Sequence, residues 1–324
     1  MNSPAPLKVS VDNYLRAETS IQFARMAKNS VQAGGFAHAR QVVPIAQQSL
    51  NRMNRDTIYS STVVDISAGA TLTVPKTDGR YLSVAVIDEN NYTQAIFHDE
   101  GQYALSRAAH GTDHVALVAR ILVNPEDPQD MASAHKLQNL LSVKANSSRP
   151  YVTVAYDKDS LTNTRNLLQQ LGKDFADANY CSGKPDEVRE TRHMIGAAMG
   201  WGGLPTSEVV YFIVGEGLPA DHFCLTLKDV PVDGFWSLSV YNKDGFFEEN
   251  PFNAYTLNNV MAQQDQTGSY TIHFGPEKLH MPNFLYVMDG WSLVVRLYRP
   301  HAEVQQGDWQ LPELVPLQPG QLTK

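Results

Sequence analysis

The chain has 324 residues, of which 43% are hydrophobic and 9% aromatic. This is too much apolar surface for an intrinsically disordered chain and enough for sizeable hydrophobic cores. The 26 Lys and Arg residues stand against 34 Asp and Glu residues, a formal net charge of −8, and no basic run occurs. The charge balance therefore argues against nucleic acid or an anionic membrane as a partner.

The sequence shows no targeting signal, no membrane-spanning segment and no cysteine pattern that identifies a compartment or a metal site. The first residues, MNSPAP, lack the basic and apolar regions of an export signal, and no apolar run approaches the roughly 20 residues that span a bilayer. We therefore expect a cytoplasmic protein with no membrane partner, while an exported origin stays open if a signal was removed. Cys181 and Cys224 provide neither a disulfide framework nor a metal-binding pair, although a single bridge between them stays open.

The first part of the chain predicts a helix followed by a β module. Apolar residues at near-helical spacing predict one amphipathic helix over residues 11–32. From about residue 57 to 123 the pattern alternates in twos between turns rich in Gly, Pro, Asp and Asn, which predicts antiparallel strands rather than a parallel βαβ sheet. The expected strands are 58–66, 71–74, 81–87, 92–97 and 115–123.

Helical patterns return in the middle of the chain, and a second β module follows from about residue 206. The middle elements are expected to be helices at 128–143, 159–171 and 185–200, with a strand at 151–156. The strands expected in the second module are 209–214, 223–227, 235–241, 269–274 and 292–298.

These patterns predict a mainly β (α+β) protein. We expect two antiparallel β-sandwich or jelly-roll-like modules, joined by a helical linker and preceded by an N-terminal helix. The predicted domains are residues 1–156 for the N-terminal helix and first β module, 157–205 for the helical linker, and 206–324 for the second β module.

Several short motifs, spread from about residue 11 to 315, carry a resemblance to known sequences. In the first half they are NRDTIYS at 54–60, LTVP at 72–75 and RY at 80–81; in the second half they are WGGLP at 201–205, GFWSLSVY at 234–241, NPFNAY at 250–255, GSYTI at 268–272 and RLYRP at 296–300. In this order they resemble the tandem pair catalogued as domain-of-unknown-function families 1254 and 1214.

The resemblance implies a fold but no settled activity. It implies two β-sandwich-like modules joined by helices, and often a homo-oligomer. The chain departs from the family pattern in the segment after Arg80, in a short linker, and at residues 282–287, where PNFLYV replaces the usual NWLPAP. We therefore expect a ligand shared by the family to bind differently here.

The densest polar cluster opens the first β module. Asp56 is the candidate acid/base or orienting group, Arg55 the anion partner and Tyr59 the hydroxyl donor, because an Asp beside a guanidinium keeps its charge in a desolvated site. Asn54 and Thr57 are candidate ligand-binding residues. The alternative is a structural corner, in which Asp56 caps a turn and Arg55 pairs with another acid.

Histidines and carboxylates near residue 100 raise the possibility of a divalent metal. His98 and Glu100 have the H-x-E spacing of a facial metal triad, and His110 or His114 is the candidate third ligand. The alternative is a solvated histidine-rich loop, since the spacing is not diagnostic.

The second module contributes a set of aromatic and amide side chains. Trp236, Tyr241 and Asn253 are candidate ligand-binding residues, because such side chains line pockets for small molecules. Aromatic residues at alternating strand positions are also typical of a core.

No nucleotide-binding loop, serine-nucleophile elbow or zinc-protease helix occurs, so no nucleotide cofactor is expected. We therefore expect a protein that acts on a small molecule, with hydrolysis or a metal-assisted reaction as the enzyme class and its site in the first β module. The alternative is a non-catalytic oligomeric scaffold or ligand-binding module.

Overall fold

The computed structural model describes residues 5–33, 35–48, 52–173, 175 and 177–317. The outermost parts of the two predicted modules, 1–4 and 318–324, lie outside the described residues.

The chain forms two compact units. Unit 1 comprises Met1–Arg40 and Thr57–Thr206, and unit 2 comprises Gln41–Asp56 and Ser207–Lys324. Unit 2 is therefore built from two stretches of sequence that are far apart along the chain. The domain boundaries expected from the sequence stay a prediction.

The fold is mainly β, as predicted, with an N-terminal helix and several antiparallel sheets. The helices of the described residues are α1 (Tyr14–Ala33), α2 (Arg107–His110), α3 (Pro128–Leu140), α4 (Lys158–Gly172), α5 (Glu190–Met199) and α6 (Ala302–Gln306). The strands of unit 1 are β1 (Ala37–His38), β2 (Thr57–Asp65), β3 (Ala70–Val74), β4 (Leu82–Asp88), β5 (Thr93–Phe97), β6 (Gly101–Leu105), β7 (His114–Leu122) and β8 (Ser142–Ala145). The strands of unit 2 are β9 (Val209–Leu218), β10 (Phe223–Leu227), β11 (Trp236–Tyr241), β12 (Thr256–Asn258), β13 (Tyr270–Gly275), β14 (Phe284–Tyr286), β15 (Trp291–Tyr298) and β16 (Val315–Pro316).

Unit 1 contains a five-stranded sheet in the order β1-β2-β7-β4-β5 and a three-stranded sheet in the order β6-β3-β8. All neighbouring strands in both sheets are antiparallel. Every residue of β4, whose sequence is LSVAVID, is buried. Burial of both faces explains why this strand is a nearly continuous apolar run, whereas β3 alternates.

Three helices of unit 1 share a small core. Tyr14 of α1, Leu161 and Leu168 of α4, and Ile195 of α5 are buried together. Helix α4 begins after Asp157, whose side chain accepts a hydrogen bond of 2.9 Å from the backbone N–H of Ser160 and so caps the helix.

Unit 2 is a sandwich of two four-stranded sheets, in the orders β12-β11-β15-β9 and β14-β13-β10-β16. Neighbouring strands are antiparallel except for the β13–β14 pair. Leu238 and Val295 from the first sheet and Leu225 and Ile272 from the second are fully buried in one shared core. Apolar residues at every second position of each strand therefore meet between the two sheets.

Three predicted elements differ from the structure. The helix expected over 128–143 ends at Leu140, and Ser142–Ala145 form β8 instead. Residues 151–156 are not a strand; this stretch makes a single bridge, from Tyr156 to Leu7, and Val152 is 80% exposed. The β-branched residues of this segment predict a strand, but among the described residues the segment has no neighbouring strand with which to form a ladder of hydrogen bonds. The helix expected from residue 185 begins at Glu190, because residues 185–187 form a turn.

The structure bears on two sequence-based expectations, which concern membrane-spanning helices and a disulfide bond between the two cysteines. None of the described helices is both long enough and apolar enough to cross a membrane. Cys181 and Cys224 are both free thiols.

One buried carboxylate of unit 1 joins the end of β2 to the segment that follows β8. Asp65, at the end of β2, accepts hydrogen bonds from Ser67 N and Oγ at 3.0 and 2.6 Å and from the Ser147 hydroxyl. Arg149 adds its backbone N–H at 3.0 Å and its guanidinium at 3.1 Å. The Arg149 guanidinium and the serine donors hold the pKa of Asp65 well below its usual range.

We expect Asp65→Asn to lower the free energy of unfolding at pH 7 by about 2 kcal/mol, because an amide cannot accept all of these bonds. A carboxyl whose pKa is depressed by folding stabilises the protein above its unfolded pKa of about 4 and loses that contribution as the pH falls. The difference from wild type should therefore shrink by about 1 kcal/mol between pH 7 and pH 3 in urea unfolding. Asp78→Asn, in an exposed pair with Lys76, is the control and should change stability by less than about 0.5 kcal/mol. A pH-independent difference would contradict the assignment.

Candidate functional site

The sheet β12-β11-β15-β9 of unit 2 differs in chemistry between its two faces: one face is apolar, and the other carries buried polar side chains. Along β11, Trp236, Leu238 and Val240 face the apolar core. Side chains alternate along a strand, so Ser237 and Ser239 face the other way. This second face carries buried polar side chains beside a small apolar cluster, to which Tyr241 and Val294 belong.

Strand register gathers the polar groups of this face into adjacent rows. Ser237 lies opposite Asn258 on β12 and opposite Arg296 on β15. Ser239 lies opposite Thr256 on β12. Three different strands thus contribute polar side chains to one patch.

The segment that precedes β2 packs against this polar face. Asp56 Oδ1 accepts hydrogen bonds from Thr256 Oγ1 at 3.0 Å and from Asn258 Nδ2 at 3.5 Å. Tyr241 donates its hydroxyl to the carbonyl of Met53 at 2.7 Å. Asn54 shapes the turn, because its side-chain oxygen accepts the backbone N–H of Asp56 at 2.6 Å.

Arg296 is the cationic centre of the patch. Its Nη1 donates to Ser239 Oγ at 3.1 Å, and its Nη2 donates to Tyr241 Oη at 2.8 Å and to the carbonyl of Arg52 at 2.9 Å. Burial by itself lowers the pKa of Arg296, but Tyr241, other tyrosines and Asp56 outweigh burial and raise it. Arg296 is therefore a permanent buried positive charge. We call the set Asp56, Ser239, Tyr241, Thr256, Asn258 and Arg296 the Asp56 network.

Asp56 itself is fully buried, and its two oxygens differ. Oδ1 accepts the bonds described above, whereas Oδ2 is buried with no hydrogen-bond partner among the described residues. Burial raises the pKa of Asp56, opposed by the Arg296 charge and by the hydroxyl of Ser237. The Ser237 hydroxyl is close enough to act on the carboxylate, yet it makes no hydrogen bond of good geometry with any described group.

Arg55 lies beside this network on an aromatic surface of the same unit. Its guanidinium carbon is 5.4 Å from the ring centre of Tyr255 and 5.9 Å from that of Phe247, and its Nη1 donates to the carbonyl of Val43. Burial lowers the pKa of Arg55. None of the described carboxylates forms an ion pair with Arg55, so the pairing expected of a structural corner is not made.

The other candidates lie elsewhere. Tyr59 and Thr57 belong to β2 of unit 1, where the Tyr59 ring lies 5.5 Å from the guanidinium of Arg120. Trp236 faces the apolar core and contacts Tyr270 edge to face. Asn253 lies exposed in a turn with φ of 53°. Of the predicted residues, Asp56 and Tyr241 are joined in one network, with Asn54 and Arg55 next to it.

The predicted metal ligands are not gathered into a site. His98 Nδ1 bonds to the carbonyl of Leu82 at 2.9 Å, His110 Nδ1 to that of Ser106 at 3.1 Å, and Glu100 is exposed. Within the described parts of the chain, no group of three or more His, Cys, Asp or Glu side chains is placed to hold a metal ion.

A separate depression of about 540 Å³ lies on unit 2 and is widely open to solvent. Its lining residues are Gln263, Lys278, Leu279, His280, Met281 and Pro282. This depression would enclose little of a bound molecule, and none of its lining residues belongs to the Asp56 network.

Sequence reasoning missed Arg296, Ser239, Thr256 and Asn258. Arg296 is the only charged residue of β15, whose sequence is WSLVVRLY, and a lone charge in an apolar strand is a usable signal. The serines that alternate with apolar residues in WSLSVY are a second one.

We expect Arg296→Met to lower the free energy of unfolding by about 3 kcal/mol, because it removes a buried cation and leaves its acceptors without a donor. Urea unfolding of the full chain measures this change. Arg299→Met, at a partly exposed arginine in the same unit, should cost less than about 0.5 kcal/mol. Equal effects of the two substitutions would show that the network does not stabilise unit 2.

The fold is similar to that of two solved structures. The VPA0106 protein from Vibrio parahaemolyticus aligns with a TM-score of 0.68 and 17% identity, covering 95% of this chain and 100% of that one. An uncharacterised protein from Burkholderia cenocepacia aligns with a TM-score of 0.52 and 13% identity, covering 94% of this chain and 87% of that one. At these identities the likeness concerns the fold alone. No curated protein matches the sequence.

Two family models match the chain. Residues 34–145 match the protein of unknown function DUF1254, and residues 216–302 match the protein of unknown function DUF1214. The second match contains most of the polar sheet face described above, including Ser237 and Arg296. Residues 34–145 are thus a DUF1254 segment and residues 216–302 a DUF1214 segment, in this order along the chain.

Proposed function

We propose that the protein acts on a small organic molecule at the Asp56 network, with Asp56 as the acid/base group. The observation that carries the proposal is the second carboxylate oxygen of Asp56, which is buried without a hydrogen-bond partner among the described residues. Leaving such an oxygen unpaired costs about 1–3 kcal/mol or more, and native structures seldom keep one without a reason. A ligand that donates a hydrogen bond removes this cost.

The environment of Asp56 suits proton transfer. Burial raises the pKa of the carboxyl towards the range in which it can both accept and release a proton near neutral pH. The neighbouring Arg296 and Tyr241 are held in place by hydrogen bonds of their own, so they do not need to reorganise during a reaction.

Arg55 supports a second candidate, a module that binds anionic molecules without converting them. Its guanidinium rests on two aromatic rings, and no described carboxylate is paired with it. Such a group binds a ligand carboxylate well, since guanidinium and carboxylate geometries match. In the enzyme proposal the same residue anchors the substrate.

We expect a panel of small carboxylic acids with their amides and esters to contain compounds that raise the melting temperature of the full chain. Arg55→Met should weaken binding of these compounds by about 10- to 100-fold in calorimetry, which corresponds to the loss of one charge-assisted contact. Arg299→Met is the matched control and should bind like wild type.

Mass spectrometry of the incubated compounds separates the two candidates. If wild type converts a compound and Asp56→Asn binds it without converting it, Asp56 is the acid/base group. Binding with no conversion by wild type favours the non-catalytic module. If no compound binds, or if Arg55→Met binds as well as wild type, the proposed ligand class is wrong.

We further propose that the protein is a homo-oligomer. Unit 1 leaves large apolar side chains in solvent, among them Val152 and Leu167, the latter 62% exposed. Burying such side chains between copies of the chain is favourable, and most soluble oligomers have closed symmetry. Sedimentation velocity at micromolar concentration should give a mass of at least two chains, and Val152→Glu should shift it towards one. A single-chain mass for wild type would contradict this proposal.

A further inference from the structure

Two buried hydroxyls connect the Arg296 guanidinium to the Asp56 carboxylate. Arg296 Nη1 lies 3.1 Å from Ser239 Oγ. Ser239 Oγ lies 3.0 Å from Thr256 Oγ1, which lies 3.0 Å from Asp56 Oδ1. The four groups form one continuous hydrogen-bonded row across β15, β11, β12 and the segment before β2.

The chemistry at the ends of this row sets the direction of each bond. A guanidinium can only donate, so Ser239 Oγ accepts from Arg296. Ser239 can then donate to Thr256, and Thr256 to Asp56. The carbonyl of Leu238 is also 3.0 Å from Thr256 Oγ1, but an ionised carboxylate is the stronger acceptor. Each hydroxyl therefore accepts once and donates once, from the cation towards the anion.

We propose that Ser239 and Thr256 are positioning residues, which relay the Arg296 charge to Asp56 Oδ1 and leave Oδ2 as the oxygen that meets the ligand's proton. This inference rests on the proposed function, because only an acid/base group needs one chosen oxygen. Hydrogen bonds in a row polarise one another, so loss of the Ser239 hydroxyl weakens the hydrogen bond from Thr256 to the Asp56 carboxylate.

Other charged or titratable groups surround the row and stay unchanged in the test below. Arg296 on β15, Tyr241 on β11 and the neighbouring residue Arg55 act on Asp56 directly through their charges, and Tyr211 on β9 and Tyr298 on β15 act on Arg296. A change that passes through Ser239 and Thr256 is therefore separable from the field of these groups.

The experiment is a pH titration of the Asp56 carboxyl carbon by NMR in the full chain, labelled with ¹³C in its aspartate side chains, with no ligand present. Asp56→Asn identifies the resonance. Thr256→Val should raise the titration midpoint by about one pH unit, because a hydrogen bond to the charged form lowers a pKa. Thr256→Ser should restore the wild-type midpoint. Ser239→Ala, which does not touch Asp56, should raise it by about half a unit.

The decisive comparison is Ser239→Ala in the Thr256→Val background, where it should have no further effect. The proposal is overturned if Ser239→Ala leaves the midpoint unchanged in the wild-type background, or if it raises the midpoint equally in both backgrounds. Thr226→Val is the matched control, since Thr226 and Thr271 form an exposed hydroxyl pair at 3.2 Å in the other sheet. Because no ligand is used, failure of the relay is distinguishable from failure of the proposed function.

Discussion

The buried carboxylate of Asp56 joins the two stretches of sequence that make unit 2. Asp56 ends the short stretch Gln41–Asp56, while its partners Thr256 and Asn258 belong to the long stretch. Arg296 and Tyr241 add hydrogen bonds to the backbone carbonyls of Arg52 and Met53. Removing such charges and hydroxyls from water is unfavourable, so they are tolerated only because nearly every group is bonded to the next. The placement of the short stretch depends on this chain of bonds being complete.

The sheet β12-β11-β15-β9 divides two tasks between its faces. The face towards the sandwich core is apolar and supplies burial energy, which has no preferred direction. The opposite face combines buried polar side chains with a small apolar cluster, and its hydrogen bonds have strict geometry. The apolar face can therefore stabilise many arrangements of unit 2, whereas the polar face accepts one partner segment in one register. On this face, Asp56 Oδ2 and the Ser237 hydroxyl are buried without a hydrogen-bond partner among the described residues.

The sequence predicted those features that depend on residues close to one another along the chain, namely the long strands and one polar cluster. Alternation identified the long strands and the two faces of β11, and the dense polar cluster at residues 54–59 pointed to Asp56. Arg296 lies 240 residues from Asp56, and only strand register brings the two into one network, so no spacing rule could connect them. The strand predicted at residues 151–156 was wrong for a related reason. Their sequence has a β pattern, but within the part of the chain that the structure describes this segment has no neighbouring strand to pair with, apart from one isolated bridge. His98 and His110 are close in sequence, yet each bonds to a nearby backbone carbonyl.

The discontinuity of unit 2 has a consequence for the order of events during synthesis. The stretch Gln41–Asp56 leaves the ribosome before all of β2 to β8, but the sheet it covers is translated only after residue 207. Until then, Asp56 and the other groups that bond to this sheet lack those partners. Residues 57–206 of unit 1 are contiguous, whereas unit 2 must close a loop of about 150 residues, which adds an entropy cost and slows folding. Asp56 therefore stays exposed to water until that loop has closed.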